Sequence, residues 1–382
     1  MKSHKLIFFS ACLGMLLFGI GLITLGSIAA GLQEKFQLDR ISSGALFSIL
    51  PIGILAGSLL FGPFCDRYGY KIFLLLSCLC MFIGFQGIAH ASSLLALKGC
   101  ILLFGFGGGA LNGATNALVA DISSENKGAN LSLLGVFFAI GALGMPVVLG
   151  VLEKQFSFSA ILSVVGYLAL LAAVLFLFIR FPEPKQKQEI PFLRGLKLLS
   201  DKVLILISLF LLCQSSFEGI INNWTTLYLL DKLSVSGSSA LYALSLYVAG
   251  MAVMRLLIGG VMRSVSSQKI LMLSFVLLLL GCTILQFAGT YTLAVCGLIL
   301  LGAGLAAGFP VMLGFVGNRY AELSGTAFSL VLTIALTGNM GLNYFMGIIA
   351  ETFGIQHLTT TAFVLLSGMT ILSFVILRKI KF

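Results

Sequence analysis

Charged side chains are scarce in this sequence: Asp, Glu, Lys and Arg make up 9% of its 382 residues, whereas 59% of the residues are hydrophobic. No soluble domain of this length has a core large enough to hide so much apolar surface, so the composition places the chain in a lipid bilayer.

Histidine and cysteine offer no metal site or disulfide framework. The three histidines, His4, His90 and His357, fall at a terminus or a predicted helix end, where none meets another ligand. The eight cysteines lie in or beside predicted helices, and the closest pair, Cys78 and Cys80, points to different helix faces. No Ser-His, His-Glu-x-x-His or paired-aspartate arrangement occurs within the helices. We therefore expect no cofactor, no metal and no enzymatic activity.

Long apolar runs dominate the rest of the chain, and a helix needs about 20 such residues to cross a bilayer. Twelve runs qualify, which predicts an all-α membrane protein with twelve transmembrane helices. The runs are 6–30, 43–63, 72–91, 96–119, 129–151, 159–180, 203–229, 239–262, 270–288, 292–317, 325–349 and 358–377.

The first run has a competing interpretation as a signal peptide. Lys2 and Lys5 precede it, and Ser27 to Ala30 resemble a cleavage site. However, the apolar core of a cleaved signal has about 7–15 residues, and this run is longer. We therefore expect a first transmembrane helix.

Lys and Arg lie mostly on one side of the membrane once the predicted helices are placed across it in order. Placing both termini in the cytoplasm puts most of the 23 basic residues there, which is the usual bias of inner-membrane proteins. This bias explains the net charge of +10 without a nucleic-acid partner. The sequence thus predicts a multi-pass protein of the cell inner membrane.

The second half of the chain repeats features of the first at one constant shift. Gly128, Ser132, Gly141, Gly144, Gly150 and Phe156 recur as Gly325, Ser329, Gly338, Gly341, Gly347 and Phe353, each 197 residues later (325 − 128 = 197). Such a duplication predicts two six-helix bundles related by a pseudo-twofold axis. We assign residues 1–180 to the N-terminal bundle, 181–202 to a cytoplasmic interdomain linker and 203–382 to the C-terminal bundle.

A charged hairpin separates the second and third predicted helices. Gly62, Asp66, Arg67, Gly69 and Lys71 supply a close helix approach, charges at the membrane face, a turn and a closing basic residue. In this order of residue types the chain resembles the major facilitator superfamily. The resemblance implies that these charges form a cytoplasmic gate.

The resemblance also assigns further gate residues. It implies gate roles for Asp66, Arg67 and Lys71, with Asp121 as a partner for Arg67. The equivalent loop of the second half has lost this pattern, and Arg263 stands opposite Asp66 there.

The fourth predicted helix contains a glycine-rich stretch, residues 105–121. No strand precedes it and no Lys-Ser/Thr follows, so close helix packing explains the glycines better than a phosphate-binding loop does. Packing does not explain Asn112 and Asn116, which lie four residues apart on one face of a helix within the bilayer.

This helix, together with residues 217–224 and 308–310, resembles the fucose permease branch of the superfamily, the fucose:proton symporters. Arg255 matches an arginine that this branch has in its eighth helix. Two acids of the proton-coupled permeases are absent, because their positions correspond to Asn112 and approximately to Ser27. Neither proton-carrying role transfers to this chain.

One acid, Glu218, lies deep in the membrane. It is about 15 residues into its helix, or roughly 22 Å along the axis. A carboxylate at this depth is costly unless it is paired or protonated. We interpret Glu218 as the proton-coupling acid, as an acceptor for a solute hydroxyl, or as both; the structural alternative is a pair with a basic group such as Arg255.

Uncharged hydrogen-bonding side chains are expected around Glu218. Amides bind adjacent hydroxyls and an indole packs on a sugar ring, so this inventory favours a neutral polyol. The predicted substrate-binding residues are Asn112, Asn116, Gln214, Glu218, Asn222, Asn223, Trp224, Asn339 and Asn343, with Tyr344 beside them.

Arg255 has two interpretations. It lies two turns from the cytoplasmic end of its helix, which favours a gate or packing role. It could instead bind an anionic solute, but there is no second basic residue at mid-membrane to assist it.

The sequence predicts a transporter that imports a monosaccharide or related polyol by alternating access, in symport with a proton or another cation. The alternatives are a drug or metabolite exporter of the same fold, a sugar uniporter, and a sensor that keeps the fold without transporting. The resemblance implies a monomer.

Overall fold

Apolar runs become helices here because a bilayer offers no hydrogen-bonding partner to the backbone, so each spanning segment must satisfy its own N–H and C=O groups. The computed structural model describes residues 2–122, 127–182, 198, 200–260, 265–320 and 324–379. Twelve helical segments within these residues are long and apolar enough to cross a membrane. The prediction of twelve transmembrane helices is therefore confirmed.

The helices follow one another along the chain with short connections. They are α1 (Lys2–Ser27), α2 (Ala29–Phe36), α3 (Arg40–Tyr68), α4 (Tyr70–His90), α5 (Leu94–Ile122), α6 (Lys127–Leu152), α7 (Phe158–Phe178), α8 (Lys202–Leu233), α9 (Gly237–Gly260), α10 (Ser267–Phe287), α11 (Tyr291–Leu305), α12 (Gly308–Arg319), α13 (Ser324–Phe353) and α14 (Leu358–Lys379). A short 3₁₀ turn, Ile355–His357, precedes α14.

The tenth span, Tyr291–Arg319, is interrupted, which the sequence did not predict. It consists of α11 and α12 with Ala306 and Ala307 between them. Pro310 lies just inside α12, and a proline has no N–H to continue the hydrogen-bond ladder of the preceding turn. The interruption leaves a backbone carbonyl available to a side chain from another helix.

The chain divides into two compact units. The first unit comprises Met1–Leu38 and Ile49–Ile190. Within it, α1 packs on α5 and α6, and α4 packs on α5 and α7.

The second unit comprises Asp39–Ser48 and Pro191–Phe382. Within it, α8 packs on α13 and α14, α9 on α11, and α10 on α11 and α14. Helix α3 therefore begins in the second unit and continues in the first. Most of the predicted linker, residues 183–197, lies outside the described residues.

Close contacts of glycines repeat at the shift read from the sequence. A Cβ on Gly105 would meet the carbonyl oxygen of Leu50, and a Cβ on Gly302 would meet that of Tyr247, 197 residues after Leu50 (247 − 50 = 197). The same shift relates Gly53 at Leu102 to Gly250 at Ile299, Gly107 at Met81 to Gly304 at Leu278, and Gly84 at Phe104 to Gly281 at Leu301. The two units thus share helix-packing contacts as well as sequence, and the packing explanation of the glycines is confirmed.

Candidate functional site

The predicted cytoplasmic gate is only partly described. The side chains of Asp66 and Arg67 lie outside the described residues. Lys71 Nζ donates to the carbonyl oxygen of Leu177 at 2.7 Å. Asp121 accepts a hydrogen bond from the Tyr70 hydroxyl at 2.6 Å. The structure therefore gives Asp121 one partner, Tyr70, that the sequence analysis did not identify.

Asn112 and Asn116 pair with each other on α5 in the first unit. Asn116 Nδ2 donates to Asn112 O at 2.8 Å and to Asn112 Oδ1 at 3.0 Å. Both residues are half-buried. Asn112 and Asn116 thus lie on one face of α5, as predicted, and the amide of Asn116 orients the side chain of Asn112.

Three predicted residues of the second unit form a chain of amides between α8 and α13. Asn223 Nδ2 donates to Asn343 Oδ1 at 3.0 Å, and Asn343 Nδ2 donates to Asn339 Oδ1 at 2.7 Å. Asn339 Nδ2 then donates to the carbonyl oxygen of Ser215 at 2.8 Å. Because Asn343 is fully buried, the amides hold these two helices together in this structure.

Gln214 donates a hydrogen bond to a backbone carbonyl at the interruption of the tenth span. Its Nε2 donates to the carbonyl oxygen of Leu305, the last residue of α11, at 2.8 Å. Gly308 allows this approach, since a Cβ there would overlap Gln214 Oε1. Gln214 thus has a structural role that the sequence analysis did not anticipate.

Trp224 is fully buried against the start of α3. Its ring meets Phe47 edge-on, with the ring centroids 5.2 Å apart and the planes at 84°. Asn222, the remaining predicted amide of α8, is also buried.

Glu218 lies in the middle of α8, 16 residues after Lys202 (218 − 202 = 16). It is half-buried and interacts electrostatically with Arg255 and Tyr247, both on α9. Of the two ion pairs found between described residues, neither includes Glu218. The acid and the arginine are therefore neighbours without a direct ion pair.

Asn339 of α13 packs against α8 at the residue that follows Glu218. A Cβ on Gly219, the next residue after Glu218, would lie 2.5 Å from Asn339 Oδ1. The structure thus brings together Glu218, Arg255 and Tyr247, of which only Tyr247 was missed. Tyr247 gave no signal in the sequence because aromatic residues in membrane helices are ordinary packing residues.

A second group of charges, also missed, ties the start of α3 to α8 and α13 within the second unit. Arg40 Nη2 lies 3.2 Å from Asp231 Oδ2, and Arg40 Nη1 donates to the carbonyl oxygen of Ala350 at 2.7 Å. The backbone N–H of Arg40 donates to Glu351 Oε2 at 3.1 Å. Charges at helix ends are common, so nothing in the sequence pairs these residues.

Asp39, beside this group, caps α3. Its Oδ1 accepts from the backbone N–H of Ser42 at 2.7 Å. Hydrogen bonds from the side chain and backbone of Ser42 hold the pKa of Asp39 below its ordinary value.

A cavity of about 480 Å³ opens between α10 and α14, lined by residues that include Phe275, Val276, Phe363 and Ser367. None of the predicted site residues lines it. This cavity therefore lies apart from the predicted site residues.

Comparison with known proteins places the chain in a family. The sequence profile of the Major Facilitator Superfamily matches residues 11–269 and 218–381. A D-xylose transporter of Levilactobacillus brevis is 26% identical over 179 residues, which are 46% of this chain and 38% of that protein. The chain thus aligns with less than half of that relative's length.

Two solved structures share the fold over nearly the whole chain. A mutant form of the nucleoside transporter NupG superposes with a TM-score of 0.82 at 18% identity, covering 99% of this chain and 100% of that one. A D-xylose-proton symporter superposes with a TM-score of 0.82 at 15% identity, covering 97% of both chains. At these identities the likeness establishes the fold and leaves the solute to be argued from the site.

Proposed function

This chain is a member of the Major Facilitator Superfamily, and on that premise we propose that it imports a small neutral solute, a monosaccharide or related polyol, in symport with a proton. The proposed location is the cell inner membrane with both termini in the cytoplasm. The solute crosses by alternating access, the mechanism by which such transporters expose one site to each side in turn.

One observation carries the proposal: Glu218 is an acid at the middle of a membrane helix whose neighbouring arginine makes no direct ion pair with it. A carboxylate that is held permanently in an ion pair cannot exchange a proton cheaply, whereas one with a nearby but separate counter-charge can be charged or neutral. Tyr247 and Arg255, both on α9, are the groups that interact electrostatically with Glu218.

The choice of a neutral solute rests on the polar groups of the helices. Amides, hydroxyls and a carboxylate outnumber the single arginine, and hydroxyl groups of a sugar can both donate to and accept from such a set. The resemblance to the fucose permease branch and the similarity to a D-xylose transporter support a sugar as the solute.

The test is uptake of labelled D-xylose, L-fucose and D-ribose into proteoliposomes under an imposed inward proton gradient. Native protein is compared with Glu218→Gln and with Glu153→Gln, which changes an exposed acid beyond the end of α6. We expect gradient-driven accumulation by the native protein and by Glu153→Gln, and only equilibration by Glu218→Gln.

Three other results contradict parts of the proposal. Uptake that ignores the gradient in the native protein identifies a uniporter. Accumulation that survives in Glu218→Gln with the same pH dependence removes Glu218 as the coupling acid. No uptake of any sugar overturns the proposed solute class.

A further inference from the structure

Unpaired polar atoms are concentrated in the second unit. Among the described residues, six buried side-chain atoms on α8 and α9 have no hydrogen-bond partner, and no such atom lies in the first unit. They are Gln214 Oε1, Ser216 Oγ, Trp224 Nε1, Thr225 Oγ1, Tyr247 OH and Arg255 Nε. A buried polar atom without a partner loses its hydrogen bonds to water and gains none in the protein, which costs free energy. Each such atom therefore calls for an explanation.

Several of these atoms belong to one stripe that includes Glu218. Gln214 precedes Glu218 by four residues and Thr225 follows it by seven, so all three lie on one face of α8. From α9, Tyr247 and Arg255 interact electrostatically with Glu218. The unpaired atoms therefore cluster around the acid that the proposed function makes central.

Tyr247 is the least expected member of the cluster. Its side chain is fully buried, yet its hydroxyl has no partner in the protein. Tyr228, on α8, shows the usual solution, since its hydroxyl donates to the carbonyl oxygen of Leu285 at 3.1 Å. A phenylalanine would fill the space of Tyr247 without the cost of a buried, unpaired hydroxyl.

The chemistry of the unpaired atoms limits what can satisfy them together. Among the unpaired atoms, Gln214 Oε1 accepts, Arg255 Nε donates, and the hydroxyls of Thr225 and Tyr247 do both. The neighbouring carboxylate of Glu218 accepts when it is ionised. A solute that carries only acceptors leaves Gln214 Oε1 unpaired, and a solute that carries only donors leaves Arg255 Nε unpaired. A solute with several hydroxyl groups supplies donors and acceptors at once.

We propose that Tyr247 is a solute-binding residue, whose hydroxyl pairs with a hydroxyl of a neutral, polyhydroxylated solute in a site formed by α8 and α9 around Glu218. The site is packed closed in this structure, since Gln214, Thr225 and Tyr247 are buried, and the unpaired atoms are paired when the solute enters. This inference rests on the proposed function and adds to it one recognition residue.

The test compares Tyr247→Phe with Tyr242→Phe, an exposed tyrosine on the same helix. Binding of D-xylose, L-fucose and D-ribose is followed by the fluorescence of Trp224, the one tryptophan of the chain, so that the readout does not require transport. We expect Tyr247→Phe to weaken binding of the recognised sugar roughly 3- to 10-fold, the effect of one lost hydrogen bond. Tyr242→Phe should bind like the native protein.

Monodeoxy derivatives of the recognised sugar identify which solute hydroxyl pairs with the hydroxyl of Tyr247. Among the monodeoxy derivatives of the recognised sugar, we expect one that the native protein and Tyr247→Phe bind equally, because both partners of the same hydrogen bond are then missing. Thermal stability separates this role from a structural one. Removing an unpaired hydroxyl should leave the melting temperature of Tyr247→Phe unchanged or raise it, whereas loss of a structural bond lowers it.

The outcomes distinguish this inference from the proposed function. Equal binding and uptake of every sugar by the native protein and Tyr247→Phe overturn the role of Tyr247 and leave the sugar transporter intact. A lowered melting temperature together with a uniform loss of affinity for all deoxy derivatives also overturns it. Absence of binding and uptake of all three sugars by the native protein overturns the proposed solute and this inference together.

Discussion

The guanidinium of Arg40 pairs with the carboxylate of Asp231, with Arg40 Nη2 3.2 Å from Asp231 Oδ2. The same guanidinium donates to the carbonyl oxygen of Ala350, so one side chain bridges the ends of α8 and α13. Both partners of the ion pair are partly exposed, at 31% and 54% of their side-chain surface. Water screens such pairs, so geometry alone overstates their energy.

This relationship predicts a small coupling energy between Arg40 and Asp231. In a double-mutant cycle of Arg40→Ala and Asp231→Ala, we expect a coupling below about 1 kcal/mol. Arg40→Ala alone should cost more than Asp231→Ala, since it also removes the bond to Ala350. Thermal unfolding of the purified protein measures the cycle, and a coupling above about 2 kcal/mol would contradict the screened interpretation.

The hydrogen bond from Gln214 to the tenth span predicts that substitutions of Gln214 and Gly308 have non-additive effects on stability. Gln214→Ala removes the donor to Leu305, and Gly308→Ala forces the same donor away. Each change should destabilise the protein by about 1–3 kcal/mol, the cost of a buried carbonyl left unpaired. Because both lose one bond, the double variant should lose much less than the sum. Additive losses in thermal unfolding would show that the two residues act independently.

The repeated glycine contacts predict equivalent behaviour in the two units. Gly105→Ala and Gly302→Ala each place a Cβ against a backbone carbonyl, which cannot move without shifting a helix. We expect each to destabilise the protein by about 1–3 kcal/mol.

Gly144→Ala and Gly341→Ala are the matched controls, since a Cβ at either position meets no heavy atom within 4 Å. These two, also related by the 197 shift, should be neutral or stabilise the protein by up to about 1 kcal/mol. Equal losses for all four variants would show that the close carbonyl contacts of Gly105 and Gly302 do not set the cost of the substitution.

The N-cap residue of α8, Asp201, should stabilise the protein to an extent that depends on pH. Burial raises the pKa of this carboxyl, but hydrogen bonds from the backbone N–H groups of Val203 and Leu204, at 2.7 and 3.4 Å, and the charge of Arg319 together lower it below its ordinary value of 3.8. A lowered pKa in the folded state means that the stabilisation is present above pH 3.8 and is lost as the pH falls through the folded-state pKa.

The measurement is the difference in melting temperature between native protein and Asp201→Ala from about pH 7 to about pH 3. At neutral pH we expect the variant to be less stable by about 1 kcal/mol, the usual value of a helix N-cap. The difference should shrink at the acid end of the range. A difference that stays constant with pH would refute an ionised cap.

The sequence by itself determined the twelve spans, the helical class and the internal repeat. These features depend on composition and on spacing along one helix, and the bilayer forces every long apolar run into the same structure. It also picked out Glu218, because an acid within an apolar run is visible without coordinates. The place of Gly105 in close packing could likewise be read from its helix.

Only the tertiary structure decided which side chains meet. Gln214 was predicted as a substrate ligand, and the structure shows that it also caps Leu305, because the interruption of the tenth span brings an unpaired carbonyl to it from a residue 91 positions away. Asn343 is similarly engaged by Asn223 and Asn339. Tyr247 and Arg40 gained their significance from partners on other helices. Contacts between helices depend on how the helices are rotated and packed against each other, and one residue pattern is compatible with many such arrangements.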